Sequence, residues 1–301
     1  MVHFVEIHLS AVKSVDTVED LVIQYSCWGV HRALLFVLEA NMMKLTVLIE
    51  NTAGDPSLTA EHGLSILIET GKCRYLFDTG ATGAFVENAC RMGVDLGQVD
   101  AAILSHGHYD HGGGLEAFMQ CNPRAPVYVS AHAFTACYNA SGKYIGLPAS
   151  LKDHPRLIPV SDRLTLAPGV WLDCCPQACP RYPQDSGGLQ KMEHGTLLPD
   201  TFEHELYLLV QENKRICFSG CAHRGIENIV HWLKPDVLVG GFHFKQLQPG
   251  EERLTLAARR LLEHDCDYYT CHCTGQAQYA YLKEIMKNRL HYLSTGDIIE
   301  I

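Results

Sequence analysis

The run ILSHGHYDHGGG, residues 103–114, constrains this chain more than any other stretch: after a short apolar segment it places His106, His108, Asp110 and His111 within six positions. Residues two apart in extended backbone face the same side, so His106 and His108 point together from a strand end. Asp110 and His111 follow as the chain turns, and Gly112, Gly113 and Gly114 let it turn sharply into a helix without Cβ collisions. Four side chains so placed do not readily converge on one ion, but they can offer one pair to each of two adjacent ions. The bland alternative, a polar loop of solvated histidines, fits poorly between a buried strand and a glycine turn.

A site of this kind needs a scaffold that brings distant strand ends together, and the pattern of the chain predicts one. Strand-length apolar runs recur at 46–51, 65–70, 74–80, 101–107, 126–131, 169–174, 206–210, 215–220 and 236–242. Ile226, Ile229, Val230 and Leu233 share one helical face, Leu254, Ala257, Ala258, Leu261 and Leu262 another, and a third helix is expected from about Gln276 to Lys287. Residues 138–199, richer in Pro, Gly and polar side chains, read as loops. The expectation is a mixed α/β (α+β) domain, sheets covered by helices, over 43–301. Residues 1–42 fit that pattern poorly and read as an uncertain N-terminal extension, with Met43 a candidate start.

Of the 301 residues 47% are hydrophobic, enough for a sizeable core, and the formal charge is −10. That balance argues against a nucleic-acid partner, which requires Lys and Arg to neutralise phosphates. The stretch ALLFVLEANMMKLTVLIE is broken by Glu39, Asn41 and Lys44 and does not read as a membrane span. The N-terminus lacks the basic and uninterrupted apolar regions of an export signal. Thirteen cysteines are then expected as reduced thiols in a cytoplasmic protein. Within CCPQAC, the spacing of Cys174, Cys175 and Cys179 matches no zinc ribbon and reads as an incidental cluster. The expected partner is a small-molecule substrate, and the oligomeric state is left open.

HxHxDH in this setting resembles the signature of the metallo-β-lactamase superfamily. LFDTG (76–80), SGCAHRG (219–225), GGFH (240–243), CHCTG (271–275) and ENTAG…EHGLSILIETG resemble segments of its dihydropterin-synthase-like, metal-dependent hydrolase branch. The resemblance covers the chain from about Met43 to its end. It implies a single-domain αββα sandwich with two divalent ions at one edge, zinc suiting a His-rich set and manganese or iron remaining open. His106, His108 and His223 would hold one ion, and Asp110, His111 and His272 the other. Asp78 would accept a hydrogen bond from the outer nitrogen of a ligating histidine. Where many members carry Gly-Asp this chain has Gly220-Cys221. Cys221 is either a thiolate ligand or a small buried residue, and the second reading is preferred here.

His243 is a candidate ligand, proton donor or substrate contact, and His204 a weaker candidate ligand. Asn51, Glu61, His62 and Lys245 are candidate substrate contacts. Strand-like alternation would turn Cys271 and Cys273 away from the metal if His272 faces it. The chemistry implied is hydrolysis of a small phosphate or other ester, with Asp110 orienting the attacking water. Transfer of a pterin group to a phosphoribosyl-aminobenzene acceptor is the alternative, and a mononuclear iron dioxygenase a lesser one.

Overall fold

The computed structural model describes residues 43–301, so the extension expected over 1–42 lies outside the described residues. The first half contains β1 (Lys44–Ile49), β2 (Ser65–Glu69), β3 (Arg74–Phe77), α1 (Ala84–Arg91), β4 (Ala101–Ile103), α2 (Tyr109–Gly112), α3 (Leu115–Cys121) and β5 (Val127–Ser130). Short strands follow: β6 (Cys137–Tyr138), β7 (Leu157–Val160), β8 (Leu164–Ala167), β9 (Val170–Asp173), β10 (Gln190–Glu193) and β11 (Thr196–Pro199). The last part contains β12 (Tyr207–Gln211), β13 (Arg215–Phe218), α4 (Ile226–Leu233), β14 (Val237–Val239), α5 (Glu252–Leu262) and β15 (Asp267–Thr270). It closes with α6 (Gln276–Met286), β16 (Leu290–Tyr292) and β17 (Ile298–Glu300).

Two seven-stranded sheets form, ordered β17-β1-β2-β3-β4-β5-β7 and β16-β15-β14-β13-β12-β9-β8. Period-two alternation divides each strand between two cores. Leu45 and Val47 of β1 meet Leu208 and Val210 of β12 between the sheets, while Leu48 and Leu209 point outward. Outside the first sheet, Phe85 of α1 and Leu115 and Phe118 of α3 cover Leu48, Leu76 and Val127. Outside the second, Ile229 of α4, Leu254 and Leu261 of α5 and Leu282 of α6 cover Leu209, Cys217 and Leu238. Because both faces of each sheet are buried, its central strands read as continuous apolar runs. The result is the αββα sandwich.

Strands β3, β4, β5 and β7 run parallel, as do β13 through β16. Their carboxyl ends carry the loops with Asp78, His106–His111, Cys221–His223, His243 and His272. The region 138–199, expected as loops, also holds a small sheet, β11-β10-β6, set apart from the two large ones. Across the sandwich, the Phe77 and Phe218 ring centroids are 5.9 Å apart, and both residues are fully buried. Phe218→Ala is expected to cost about 3–5 kcal/mol of unfolding free energy, measured as a lower urea midpoint at constant m-value.

Candidate metal centre

Asp78 follows β3 at φ +61°, a left-handed conformation unusual for a side-chain-bearing residue. Its Oδ1 accepts from the Ser105 backbone N–H at 2.7 Å, and its Oδ2 accepts from Ser105 Oγ at 2.7 Å and His111 Nδ1 at 2.6 Å. These bonds assign the tautomers. The Ser105 hydroxyl hydrogen goes to Asp78, so its oxygen must accept from His106 Nδ1, 2.9 Å away. His106 is thereby left with an unprotonated Nε2, and His111, its Nδ1 committed to Asp78, turns its Nε2 inward. From the other sheet, His272 Nδ1 lies 2.8 Å from Asn51 Oδ1 while Asn51 Nδ2 donates to the His272 carbonyl at 3.2 Å. That pairing frees His272 Nε2, which lies 3.3 Å from Asp110 Oδ2.

Three rings thus turn their Nε2 atoms toward one space, and a fourth joins them. His223 Nε2 lies 3.3 Å from His106 Nε2, about the edge of a tetrahedron with ~2.0–2.1 Å zinc–nitrogen bonds, roughly 3.3 Å. His108 Nε2, His223 Nδ1 and both ring nitrogens of His243 are buried without hydrogen-bond partners, which is rare in a folded interior. Burial, reinforced by neighbouring histidines, pushes His106 and His223 well below the ordinary histidine value. Burial takes His108 down to about 3. All three are therefore neutral, the state a metal ligand needs. For His111 burial acts downward, but Asp78 and Asp110 outweigh it and raise the ring to about 9. For Asp110 burial acts upward, and His111 and His272 outweigh it and hold the carboxyl low.

Cys221 stands between the two halves. One donor atom each from His106, Cys221 and His223 lie within 4.8 Å of one another, as do those of His111, Cys221 and His272. Cys221 Sγ is 3.2 Å from His111 Nε2. Burial pushes this thiol up, so a neighbouring cation is what would make it a thiolate. Cys221, for which the sequence favours a packing role, is buried and lies within donor reach of both halves. Gly220 must be glycine, because a Cβ there would collide with the Ser105 hydroxyl.

Other expectations are redistributed. His62 Nε2 lies 3.3 Å from Asp110 Oδ2. His62, Lys245 and His243 line a cavity of about 250 Å³ over the centre, together with Tyr109, Asn139, Ile145 and Leu189. Asn51 and Glu61 do not line it: Asn51 is bonded to His272, and Glu61 accepts from Ala81 N, Thr82 N and Thr82 Oγ1. Cys273 also faces the cavity, because His272–Thr274 form a 3-10 turn in which strand alternation does not apply. Cys271 is buried in the core between the sheets.

His204, with Cys137, Asp200 and His108, forms a second donor cluster. There, however, His204 Nδ1 accepts from Gly107 N–H at 3.2 Å, so Nε2 carries the proton and donates to Asp200 Oδ2 at 3.2 Å. This is a hydrogen-bonded buttress behind His108. Cys174, Cys175 and Cys179 join no donor group among the described residues. The twelve described cysteines are all free thiols.

The profile described as "Metallo-beta-lactamase superfamily" matches residues 58–265. The chain belongs to the metallo-β-lactamase superfamily. Within it, a Methanocaldococcus jannaschii protein named 7,8-dihydropterin-6-methyl-4-(beta-D-ribofuranosyl)-aminobenzene-5'-phosphate synthase is 28% identical over 298 residues, 89% of this chain and 99% of the relative. A second protein of that organism, MJ0448, is 29% identical over 267 residues, 85% of this chain and all of the relative. Among solved structures, Tm1679, described as a metal-dependent hydrolase of the β-lactamase superfamily, superposes with a TM-score of 0.75 at 26% identity. The match covers 86% of this chain and 99% of that one. No helix of the described residues is long and apolar enough to cross a membrane.

If Asn51 orients His272 and does not bind substrate, Asn51→Ala should weaken metal retention about 10- to 100-fold. With ions supplied in excess, KM should stay near wild type. A raised KM under saturating metal would return Asn51 to the substrate.

Proposed function

We propose that this metallo-β-lactamase-superfamily chain is a metal-dependent hydrolase of a small phosphate ester or other ester, working with two divalent ions. The observation that carries the reading is the convergence of buried donor atoms from His106, His223, His111, His272 and Cys221 in two adjoining groups that share Cys221, with Asp110 beside His272. The donor set fits such ions: His106, His108 and His223 would hold one, Asp110, His111 and His272 the other, and Cys221 would be shared. Nitrogen and sulfur donors favour zinc, cobalt or ferrous iron over magnesium. Bound ions of this kind polarise an acyl or phosphoryl oxygen and acidify a water toward neutral pH.

The chain's own residues supply the rest. Asp110 Oδ2, between His272 and His62, would accept a hydrogen bond from the attacking water and orient it. His243 sits beside His223, ring centroids 4.3 Å apart, with both nitrogens uncommitted, and can protonate a leaving group. Lys245, exposed at the rim, attracts an anionic group. Tyr109, Ile145 and Leu189 provide an apolar wall for the remainder of the substrate.

A second reading is favoured by one observation, the 28% identity to the M. jannaschii synthase across nearly the whole of both chains. In that reading the same centre transfers a pterin group to a phosphoribosyl-aminobenzene acceptor.

The test is elemental analysis of the purified protein with parallel turnover of bis-p-nitrophenyl phosphate and aryl esters. About two ions per chain with hydrolysis supports the first reading; two ions without hydrolysis, and product from the pterin and aminobenzene substrates, supports the second. His106→Ala and Asp110→Ala should each lose at least one ion and reduce turnover to background. Cys221→Ser should weaken zinc retention about 10-fold or more, and unchanged metal content in all three variants would overturn the ligand assignment.

A further inference from the structure

Two buried glutamates sit directly behind the loops that carry His272 and His223. We infer that Glu50 and Glu205 are positioning residues, each setting the affinity of one half of the centre, Glu50 through His272 and Glu205 through His223. The inference rests on the two-ion reading above.

Glu50, fully buried just after β1, accepts four hydrogen bonds. Its Oε1 takes the His272 backbone N–H at 2.6 Å and the Tyr292 hydroxyl at 2.8 Å; its Oε2 takes the Thr52 N–H and hydroxyl, both at 2.6 Å. Glu50 follows a strand of the first sheet and His272 a strand of the second, so the bond fixes the spacing of the half-site that Asp110 and His111 share with His272. Glu205, 2% exposed just before β12, repeats the device. Its Oε1 accepts from His223 N–H at 2.6 Å, and its Oε2 from Arg224 N–H at 3.2 Å and the Tyr207 hydroxyl at 2.7 Å.

Both loops need such a clamp. His272 has φ +50° and Ala222, just before His223, has φ +54°. Left-handed conformations at such residues persist only where their surroundings hold them. Neither glutamate can itself serve as a ligand without giving up those bonds.

A glutamine in place of Glu50 keeps the shape but sets an amide NH₂ against two donors, either His272 N–H and Tyr292 O–H or the two groups of Thr52. In Glu205→Gln the NH₂ meets His223 N–H or the Arg224 and Tyr207 donors. The experiment is a chelator-competition titration of the full chain with zinc, resolving two stepwise affinities, with His272→Ala and His223→Ala assigning the steps. Glu50→Gln should weaken the step that His272→Ala abolishes about 10- to 100-fold and leave the other unchanged; Glu205→Gln should do the same for the His223 step. The thermal midpoint of the chelated variants is read alongside, since a merely structural role would lower it and move both steps together. Should either glutamine variant fail to fold, Tyr292→Phe and Tyr207→Phe, which remove one donor and leave the carboxylate, decide: each should shift its own step by a smaller factor. Joint shifts, crossed shifts or no shift overturn the assignment. A wild-type chain that binds no ion pair overturns the two-ion reading itself, a result distinct from misassigned steps.

Discussion

The hydrogen bonds converging on Asp78 are the constraint from which the centre is built. One carboxylate fixes the Ser105 backbone, spends the Ser105 hydroxyl hydrogen and orients His111. The spent hydroxyl in turn fixes the tautomer of His106. Every member of the network is fully or nearly fully buried. A buried polar network is costly if half satisfied, and the ends of this one, His106 Nε2 and His111 Nε2, turn toward His223 Nε2 and Cys221 Sγ.

Much of the fold is legible in the sequence because the sandwich buries both faces of its central strands. Each anticipated strand from 46–51 to 236–242 is present, as are the helices near 226–233, 254–262 and 276–287. What escaped reading is short or weakly patterned. In α1 only Phe85, Asn88 and Ala89 are buried, too few to set a helical period. The strand β15, sequence DYYT, is four residues long and mixes buried and half-buried positions. Strands β10 and β11 are half-exposed or exposed throughout, so burial left no imprint on their sequence.

The site divides along a similar line. His106, His108, Asp110 and His111 are legible because their relation is local: one strand end and one turn place all four. His223 and His272 needed the family resemblance, since nothing local joins them to residue 106. Asn51 and Glu50 act on His272 across 221 and 222 positions of sequence, and no spacing rule reaches that far. Cys273 was lost to a wrong period, strand alternation applied to a 3-10 turn. Glu205 offers the one signal that could have been used: a glutamate embedded in the apolar run FEHELYLLV must find donors once buried.

Cys221, where the superfamily resemblance would place a carboxylate, would change which ions such a centre favours. A carboxylate between two ions offers hard oxygen donors and suits magnesium or manganese as readily as zinc. A thiol offers sulfur, and burial keeps it protonated until a cation displaces the hydrogen. Cys273 and His243 lie on the same side, their donor atoms within 4.8 Å of that of Cys221, so the wall shared by the two half-sites is soft throughout. The opposite wall, Asp110 with His62, is the harder one. An ion pair held between them would be unequal, both members sharing imidazole and sulfur donors and only one having the Asp110 carboxylate. Under the proposed hydrolase reading, that inequality would put the water-orienting oxygen of Asp110 on the cavity side, where Lys245 also lies, and give attack a direction that a symmetric donor set would not.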